Sequence, residues 1–410
     1  MKRRIAVMTL MASVAMPLAA QESLLPSTGW GMGTAISAWH FTTPLPQAGG
    51  ALADIVEFAI PFRIRSVFGR WSVDLSGAGA AGAAHFKANP SPQGQNSQNG
   101  DSGGGERVTT LFGPTDVKLR ITGPLFRDHT LLTAGFNLPT GKVGLSSDET
   151  STLQALGAPS LHMPIGSFGT GAGATIGVIR AFEGDDWAVA VGGSVEKRSE
   201  YSPIALVIAG SGKNETRVTP GMAAHVTLGV DRSLGENRLS ALLVTDIFSK
   251  DKVQLVTAAG PEAGNTFALG PQVTLSTRLD LAATRWRESS LNLAMRMRGE
   301  FSDSVGTKVS GSSGNYFEGS IGGVRGGPDG AGFVVAADGR WHSGLKFTDA
   351  MVGAAVTAVG VSLGWETQGA SSASRFVLHG QYGTFDTGTA TSTGFGVTLA
   401  YSIGARREAR

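Results

Sequence analysis

The stretch "LNLAMRMRGEF", residues 291–301, sorts its side chains by alternate positions. Leucine and methionine occupy the odd positions from 291 to 297, whereas Asn292, Arg296, Arg298 and Glu300 occupy even positions. Successive side chains of an extended chain point to opposite faces, so this segment predicts a β-strand with one apolar and one charged face. The fold class depends on which of the two faces meets water.

The same alternation recurs along the whole chain with no domain-sized interruption, for example in "QVTLSTRLDLA" (272–282) and "VEFAIPFRIR" (56–65). We predict about sixteen strands, with fourteen as the alternative, and the segment near residue 315 is the weakest. Most are about a dozen residues long, whereas ordinary strands average about five or six and membrane-spanning strands need about 9–11. The predicted strands cover residues 29–42, 52–66, 69–84, 107–122, 128–138, 169–182, 186–198, 218–232, 237–249, 267–283, 287–302, 315–325, 331–342, 351–366, 373–385 and 392–404.

The connections between these strands alternate in length. Short links such as "EGDD" (183–186) and "SLGEN" (233–237) are rich in the residues that turns require. Longer polar loops lie between them, notably 89–106 and the run from Pro139 to Phe168. This pattern is typical of an all-β, up-and-down antiparallel barrel of the bacterial outer membrane, and an even strand count places both termini in the periplasm.

A soluble β-sandwich shows the same alternation, so the orientation of the apolar face rests on other features. All seven tryptophans lie near predicted strand ends or turns, with Trp39 and Trp341 on the loop side. Indole rings prefer the membrane interface. We therefore expect the apolar face to contact lipid. The expected interface aromatics are Trp30, Trp71, Trp187, Trp286, Trp341 and Trp365.

The last strand, "GFGVTLAYSIG" (394–404), resembles the terminal strand signal that the outer-membrane insertion machinery reads, with Gly396, Leu399 and Tyr401 at the matching positions. Such signals usually end on an aromatic residue, whereas this chain continues to Arg410. We expect the insertion machinery and the lipid bilayer to be its partners, in the cell outer membrane.

The N-terminus has a basic start, an apolar stretch from Ile5 to about Met16, and small residues at Ala19 and Ala20. These features predict a secretory signal peptide at 1–20, followed by a single barrel domain at 21–410. Of 34 Lys and Arg, three lie at positions 2–4, which leaves 31 against 32 acidic residues. No basic surface for nucleic acid is indicated. The chain has no cysteine.

If the apolar face meets lipid, the charged face lines the lumen. Such residues either border a hydrated path or pair across strands to brace the wall, and bracing is the expected role for any single one. Adjacent inward arginines at Arg63, Arg65, Arg296 and Arg298 are candidates for a basic track. The predicted lumen-facing residues are Arg63, Arg65, Lys118, Arg120, Arg278, Asp280, Arg296, Arg298, Glu300, Asp338 and Arg340.

The loop 139–168 carries apolar residues, among them Leu156, Leu161 and Ile165, amid polar ones. An entirely solvated loop has little reason to hold them. One hypothesis is that the loop folds into the mouth of the barrel and narrows the path. The alternative is an external lid.

Two segments, "FGPTDVKLRITGPLF" (112–126) and "LLTAGFNLPTGK" (131–142), resemble the outer-membrane barrels of the meta-pathway phenol-degradation or putative transporter family. Asp116 and the run Leu138, Pro139, Thr140 and Gly141 carry the resemblance. "GTGAGATIGVIRAFEGDDWAVAVGGSV" (169–195) is similar to the next hairpin of that family. The resemblance implies passive transport of small, often hydrophobic or aromatic, compounds and supplies no catalytic residues.

No metal-ligand spacing or cysteine cluster appears, so no cofactor is expected. A rim pair such as His342 and Ser343 has the residue types of a base and a nucleophile, but no motif supports it, and we expect no enzymatic activity. The sequence therefore predicts a passive channel for small solutes. The alternatives are a closed, surface-exposed barrel with a structural or binding role, and a secreted soluble β protein.

Overall fold

The computed structural model describes residues 28–47, 50–87, 105–125, 129–208, 212–257, 260–262, 264–283, 285–326, 330–347, 350–369 and 371–406. The predicted signal peptide lies outside the described residues, as does most of the polar loop 89–106. Seventeen strands form one sheet. They are β1 (Gly29–Gln47), β2 (Gly50–Phe68), β3 (Trp71–Lys87), β4 (Arg107–Pro114), β5 (Val117–Pro124), β6 (Thr130–Leu138), β7 (Gly173–Glu183), β8 (Trp187–Arg198), β11 (Met222–Leu234), β12 (Asn237–Phe248), β16 (Gln272–Asp280), β17 (Glu288–Arg298), β18 (Gly314–Gly326), β19 (Ala331–His342), β22 (Ala355–Gln368), β23 (Ser372–Asp386) and β24 (Thr391–Arg406).

Each of these strands pairs antiparallel with its neighbours in the wall, and the last pairs with the first. The β1–β24 ladder runs from Gly29↔Arg406 to Phe41↔Gly394. β4 pairs with the loop-end part of β3 and β5 with its other part, so these two segments share one position in the wall. The seventeen segments therefore make a closed barrel of 16 strands, because β4 and β5 count once. The predicted fold class and strand count are confirmed.

Connections are short at one end of the barrel and long at the other, here called the short-turn end and the loop end. Two-residue turns at the short-turn end use Gly69 and Gly235 at φ values of 60° and 65°, which glycine adopts without strain. At the loop end, further strands extend beyond the wall. These are β9 (Tyr201–Ile208), β10 (Gly212–Thr219), β13 (Asp251–Thr257), β14 (Gly260–Pro261) and β15 (Asn265–Phe267) in one sheet, and β20 (Leu345–Phe347) with β21 (Ala350–Gly353) in another.

The structure also contains an α-helix of ten residues, α1 (Ser147–Leu156), in the loop after β6. None of the helical segments in the described ranges is both long enough and apolar enough to cross a membrane.

The outer surface of the wall is apolar. On β17, Leu293 is 53% exposed and Met297 is 41% exposed, whereas Arg296 and Arg298 on the opposite parity face the lumen. The same arrangement holds on β24, where Phe395 and other large apolar side chains of its parity face outward. Because exposed large apolar side chains cover strand after strand, the barrel is inside-out relative to a soluble protein, as the alternation predicts.

Candidate functional site

The loop between β6 and β7, residues 139–172, turns back into the barrel and is called the inserted loop below. Its helix α1 begins at a capping box, in which the Ser146 hydroxyl accepts from the Glu149 N–H and the Glu149 carboxylate accepts from the Ser146 N–H. The Lys142 ammonium also bonds to this carboxylate and holds the pKa of Glu149 below its usual range. These contacts fix where the helix starts.

Small residues on the inner face of β3 let the helix lie close to the wall. A Cβ atom added at Gly82 would come within 2.6 Å of Leu156 Cδ1, so any larger residue would displace this leucine. On β4, the Thr109 hydroxyl accepts from the Thr152 hydroxyl at 2.7 Å. The wall is therefore shaped to receive this helix.

Apolar side chains of the inserted loop form a buried cluster with inward residues of the wall. Leu161 is fully buried, and Phe385 from β23 packs edge-on against Trp39 and Phe41 of β1, with ring centroids 5.2 Å apart in both pairs. The cluster occupies the loop-end half of the lumen beside β1–β4, β22 and β23, so the loop is not an external lid. The loop residues in the cluster are Leu145, Ala155, Leu156, Leu161, Met163, Ile165 and Phe168.

Two polar side chains of the wall donate to carbonyl groups of the inserted loop. Trp39 Nε1 donates to the Leu161 carbonyl at 3.0 Å. Arg340 Nη2 donates to the Ser160 carbonyl at 3.2 Å. The two bonds hold adjacent residues of the loop from different parts of the wall, β1 and β19.

A third wall residue, Glu57 on β2, accepts a bond from the loop backbone. Its carboxyl group is fully buried and accepts from the Ile165 N–H at 3.0 and 3.3 Å. Buried polar groups are costly unless they are paired. Each of these three attachments therefore favours the seated position of the loop.

Asp116, in the break between β4 and β5, ties the two ends of the inserted loop together. Its carboxylate accepts from the Gly141 N–H at 2.8 Å, near the start of the loop. It also accepts from the Thr170 N–H at 2.7 Å, near the end, and from Asn137 Nδ2 at 2.9 Å. Asp116 and Gly141, two of the residues that carry the family resemblance, therefore form the base of this loop.

His162 lies among charged groups at the inner end of the loop. Its φ of 55° falls in the left-handed region. Burial lowers the pKa of His162 to about 4, and the nearby Arg340 guanidinium contributes to the same shift. The ring therefore stays neutral at pH 7 in the seated loop.

Nearer the short-turn end, inward residues of the wall border a cavity. A cavity of about 250 Å³ runs along the wall from β2 to β12. Its basic end is formed by Arg63, Arg65 and Arg120, together with Asp74. Arg63 donates to Asp74 Oδ1 through Nε at 3.2 Å and through Nη2 at 2.9 Å, and Arg65 Nε lies 3.9 Å from the same oxygen.

The remaining predicted lumen-facing residues lie on inward positions of the wall with one exception. Glu300 lies beyond the end of β17, in a loop, where its carboxylate accepts from the Gly311 N–H at 3.1 Å. The prediction that Glu300 faces the lumen from a strand is therefore wrong, because β17 ends at Arg298.

Inward charges elsewhere in the wall lie near groups of opposite charge. Arg278 donates to Asp280 on the same strand at 2.6 Å. Asp338 lies 3.6 Å from His379 on another strand. Lys118 belongs to the β3–β5 ladder and lies next to the basic end of the cavity.

The two inward arginines of β17 contact aromatic rings. The Arg296 guanidinium lies 5.4 Å from the ring centre of Tyr316, and that of Arg298 lies 4.8 Å from the ring centre of Phe301. Neither residue lines the cavity that holds Arg63 and Arg65. The structure therefore places the four arginines of the predicted basic track in two separate groups.

Six of the seven tryptophan rings are on the outer surface, between 37% and 50% exposed. Trp39 differs: it is 2% exposed and points inward, because its position on β1 has the opposite parity to that of Trp30. It also lies away from the rim, because β1 continues to Gln47. The expectation that all seven lie near strand ends is wrong for this residue. The outward rings are those of Trp30, Trp71, Trp187, Trp286, Trp341 and Trp365.

The side chains of His342 and Ser343 bond to backbone groups and not to each other. His342 is buried in the lumen, with Nδ1 3.2 Å from the Gly344 N–H. The Ser343 hydroxyl accepts from the Asn315 N–H at 2.9 Å and donates to the Gly344 carbonyl. His342 is the last residue of β19, as its predicted rim position implies, but its side chain is buried. Within the described ranges, no group of three or more His, Asp or Glu side chains has the geometry of a metal site.

No family model and no curated protein sequence matches the chain. Among solved structures, it is similar to the TodX deltaS2S3 mutant monoaromatic hydrocarbon channel, at 9% identity over 96% of this chain and 94% of that one, with a TM-score of 0.44. It is also similar to the CymD monoaromatic hydrocarbon channel, at 8% identity over 94% and 90%, with a TM-score of 0.40. OpdK from Pseudomonas aeruginosa shows 10% identity over 92% and 99%, with a TM-score of 0.38.

Proposed function

We propose that this chain is a passive channel for small solutes in the outer membrane, with its path narrowed by the inserted loop. The observation that carries the proposal is the combination of an apolar outer wall with a polar lumen that keeps a cavity along the wall from β2 to β12. Charged groups are costly to remove from water unless they are paired. Charged side chains such as Arg120 and Lys118 are exposed within the lumen, which is consistent with a hydrated interior.

The lining of the cavity suits solutes with an apolar body. Leu131, Ile179 and Leu242 contribute apolar surface, and hydroxyl groups come from residues such as Thr133 and Thr227. Hydrophobic or aromatic compounds, which the family resemblance implies, fall within this class. The lipid bilayer and the insertion machinery are the other partners we propose for the barrel.

The alternative is a barrel closed to solutes, with a structural or binding role at the cell surface. It is favoured by one observation, the tightly packed cluster that fills the loop-end half of the lumen on one side. Liposome swelling separates the two functions. We expect purified protein in liposomes to admit neutral sugars with a rate that falls steeply with sugar size. Liposomes that swell no faster than protein-free ones would establish the closed barrel.

A double variant tests whether the wall at β11 and β12 limits the path. Arg238→Gln with Asp231→Asn removes a wall pair held by bonds of 2.6 to 3.0 Å without changing net charge. We expect its swelling rates to follow those of the unaltered protein. A change in size cut-off in this variant would place the narrow part of the path at β11 and β12 instead of at the inserted loop.

A further inference from the structure

We infer that the cavity along the wall from β2 to β12 is a binding site for small organic anions, with a carboxylate held at its basic end and an apolar body lying along the wall. This inference rests on the proposed function, because it names the class of solute that the same path would favour. It rests on three features of the described residues: the balance of charge, the size of the cavity and the position of its apolar surface.

Arginines outnumber carboxylates among the described residues that line the basic end of the cavity. Its lining contains three arginines, Arg63, Arg65 and Arg120, but a single carboxylate, Asp74. Asp74 Oδ1 already accepts two bonds from Arg63, whereas Arg65 Nε lies 3.9 Å away, beyond hydrogen-bond distance. An anion would compensate this charge.

The strand register brings these cations together. Arg65 on β2 pairs with Asp74 on β3, and Asp74 pairs with Arg120 on β5, so the three side chains form one row across adjacent strands. The next inward row contains Arg63 and Lys118. Two rows of basic residues thus face one end of the cavity. Guanidinium groups match carboxylates because their donors form a planar fork.

The rest of the lining is uncharged. From β6 to β12 it consists of glycines, hydroxyl groups and apolar side chains such as those of Leu131, Ile179 and Leu242. The volume of about 250 Å³ lies below the range of about 300 to 1,000 Å³ that holds drug-sized ligands, so the site fits a smaller molecule. A short apolar chain or a single ring that ends in a carboxylate has the matching distribution of charge and size.

Three probes with one hydrocarbon chain and different head groups test the site: hexanoate, hexanamide and hexylammonium. Equilibrium dialysis of labelled probe against the barrel in nanodiscs, with empty nanodiscs subtracted, measures binding without requiring conduction. We expect hexanoate to bind at least about tenfold more tightly than either of the other two, since only it carries the charge that the arginines lack. Acetate, which lacks the apolar body, is expected to bind about tenfold more weakly than hexanoate.

The variants Arg65→Gln and Arg120→Gln each remove one donor group from the site. Each is expected to weaken hexanoate binding about tenfold, the effect of losing one charge-assisted hydrogen bond. The control Arg238→Gln removes an inward arginine that does not line the cavity, and its binding is expected to stay within about twofold of the unaltered protein. Heat-modifiable gel migration confirms that each variant is folded.

Equal binding of hexanoate and hexanamide would overturn the inference, and so would unchanged hexanoate binding in Arg65→Gln and Arg120→Gln. Acetate binding as tight as hexanoate binding would overturn the apolar half of the site. The liposome swelling assay reports separately on the channel. Hexanoate binding without swelling would contradict the proposed function and support the anion site. Swelling without selective hexanoate binding would support the channel and contradict the anion site.

Discussion

The indole Nε1 of Trp39 donates to the carbonyl oxygen of Leu161 at 3.0 Å and so joins the barrel wall to the inserted loop. Trp39→Phe keeps an aromatic ring in the cluster but removes this donor. We expect the seated loop to lose about 1 kcal/mol, the usual contribution of one hydrogen bond. Single-channel recording should show more frequent transitions to a larger conductance.

The matched control for Trp39→Phe lies on the same strand. Trp30 points outward from β1 and is 45% exposed, so Trp30→Phe makes the same chemical change on the opposite face of the wall. It should leave gating unchanged. If both variants gate like the unaltered protein, the indole bond does not hold the loop.

Glu57 provides a second attachment, because its buried carboxyl group accepts from the Ile165 N–H. Glu57→Ala leaves that N–H unpaired in a buried place, and we expect a weakening of loop seating by about 1 to 3 kcal/mol. Glu57→Gln retains an acceptor oxygen and should behave more like the unaltered protein. Limited proteolysis within the inserted loop measures the difference. If Glu57→Ala and Glu57→Gln are both cleaved at the rate of the unaltered protein, loop seating does not depend on this acceptor.

Seating of the inserted loop should depend on pH through His162. The pKa of its imidazole is about 4 when the loop is seated, against the ordinary value of 6.5 when it is free. A lowered pKa means that protons bind preferentially to the released loop, so seating weakens as pH falls from about 6.5 to 4, by up to about 1.4 kcal/mol for each pH unit. We expect conductance to rise over this window. The groups around His162 are Arg296, Tyr316, Glu318, Arg340 and His379.

The variant His162→Asn tests this assignment, because asparagine does not titrate and tolerates the left-handed backbone at this position. Glu149 contributes in the same direction only at lower pH, since its pKa lies below its usual 4.5 and its stabilising effect is lost as pH falls through that lowered value. Between about pH 6.5 and 4.5 the weakening that His162 causes should therefore be absent in His162→Asn. If His162→Asn keeps the full pH response, His162 does not cause that response.

The orientation of the wall is tested on β17, where neighbouring residues face opposite sides. Leu293 points outward and Asn292 points into the lumen. Leu293→Arg should destabilise the barrel in a bilayer by about 2 to 4 kcal/mol, the cost of an arginine at the lipid midplane. Asn292→Arg should change stability much less. Urea unfolding in liposomes measures both, and equal losses would contradict the assigned orientation.

The strands can be predicted from sequence because alternation with a period of two is a local property. It places the wall strands, and residues 291–298 have the predicted inner and outer faces. It does not reveal the break at Thr115 and Asp116. These two residues belong to neither β4 nor β5, and the Asp116 carboxylate binds the inserted loop instead. Helix α1 is also absent from the strand pattern, although Ser146 and Glu149 have the spacing of a capping box that could have located it.

The seating of the inserted loop cannot be derived in the same way. Its apolar residues indicate burial, but the bond between Glu57 and Ile165 joins residues 108 positions apart, and no local pattern encodes such a contact. The inward direction of Trp39 is readable from its parity relative to Trp30. The alternation predicts an end of β1 at residue 42, whereas the strand continues to Gln47 and places Trp39 well inside the wall.

We propose that a hydrated path crosses the barrel and that the inserted loop narrows it. Planar-bilayer recording of the unaltered protein beside a variant lacking residues 146–162 tests this directly. We expect discrete channels in both and a clearly larger single-channel conductance in the deletion variant. Absence of channels in both proteins would contradict a path, and an unchanged conductance in a folded deletion variant would contradict its narrowing by the loop.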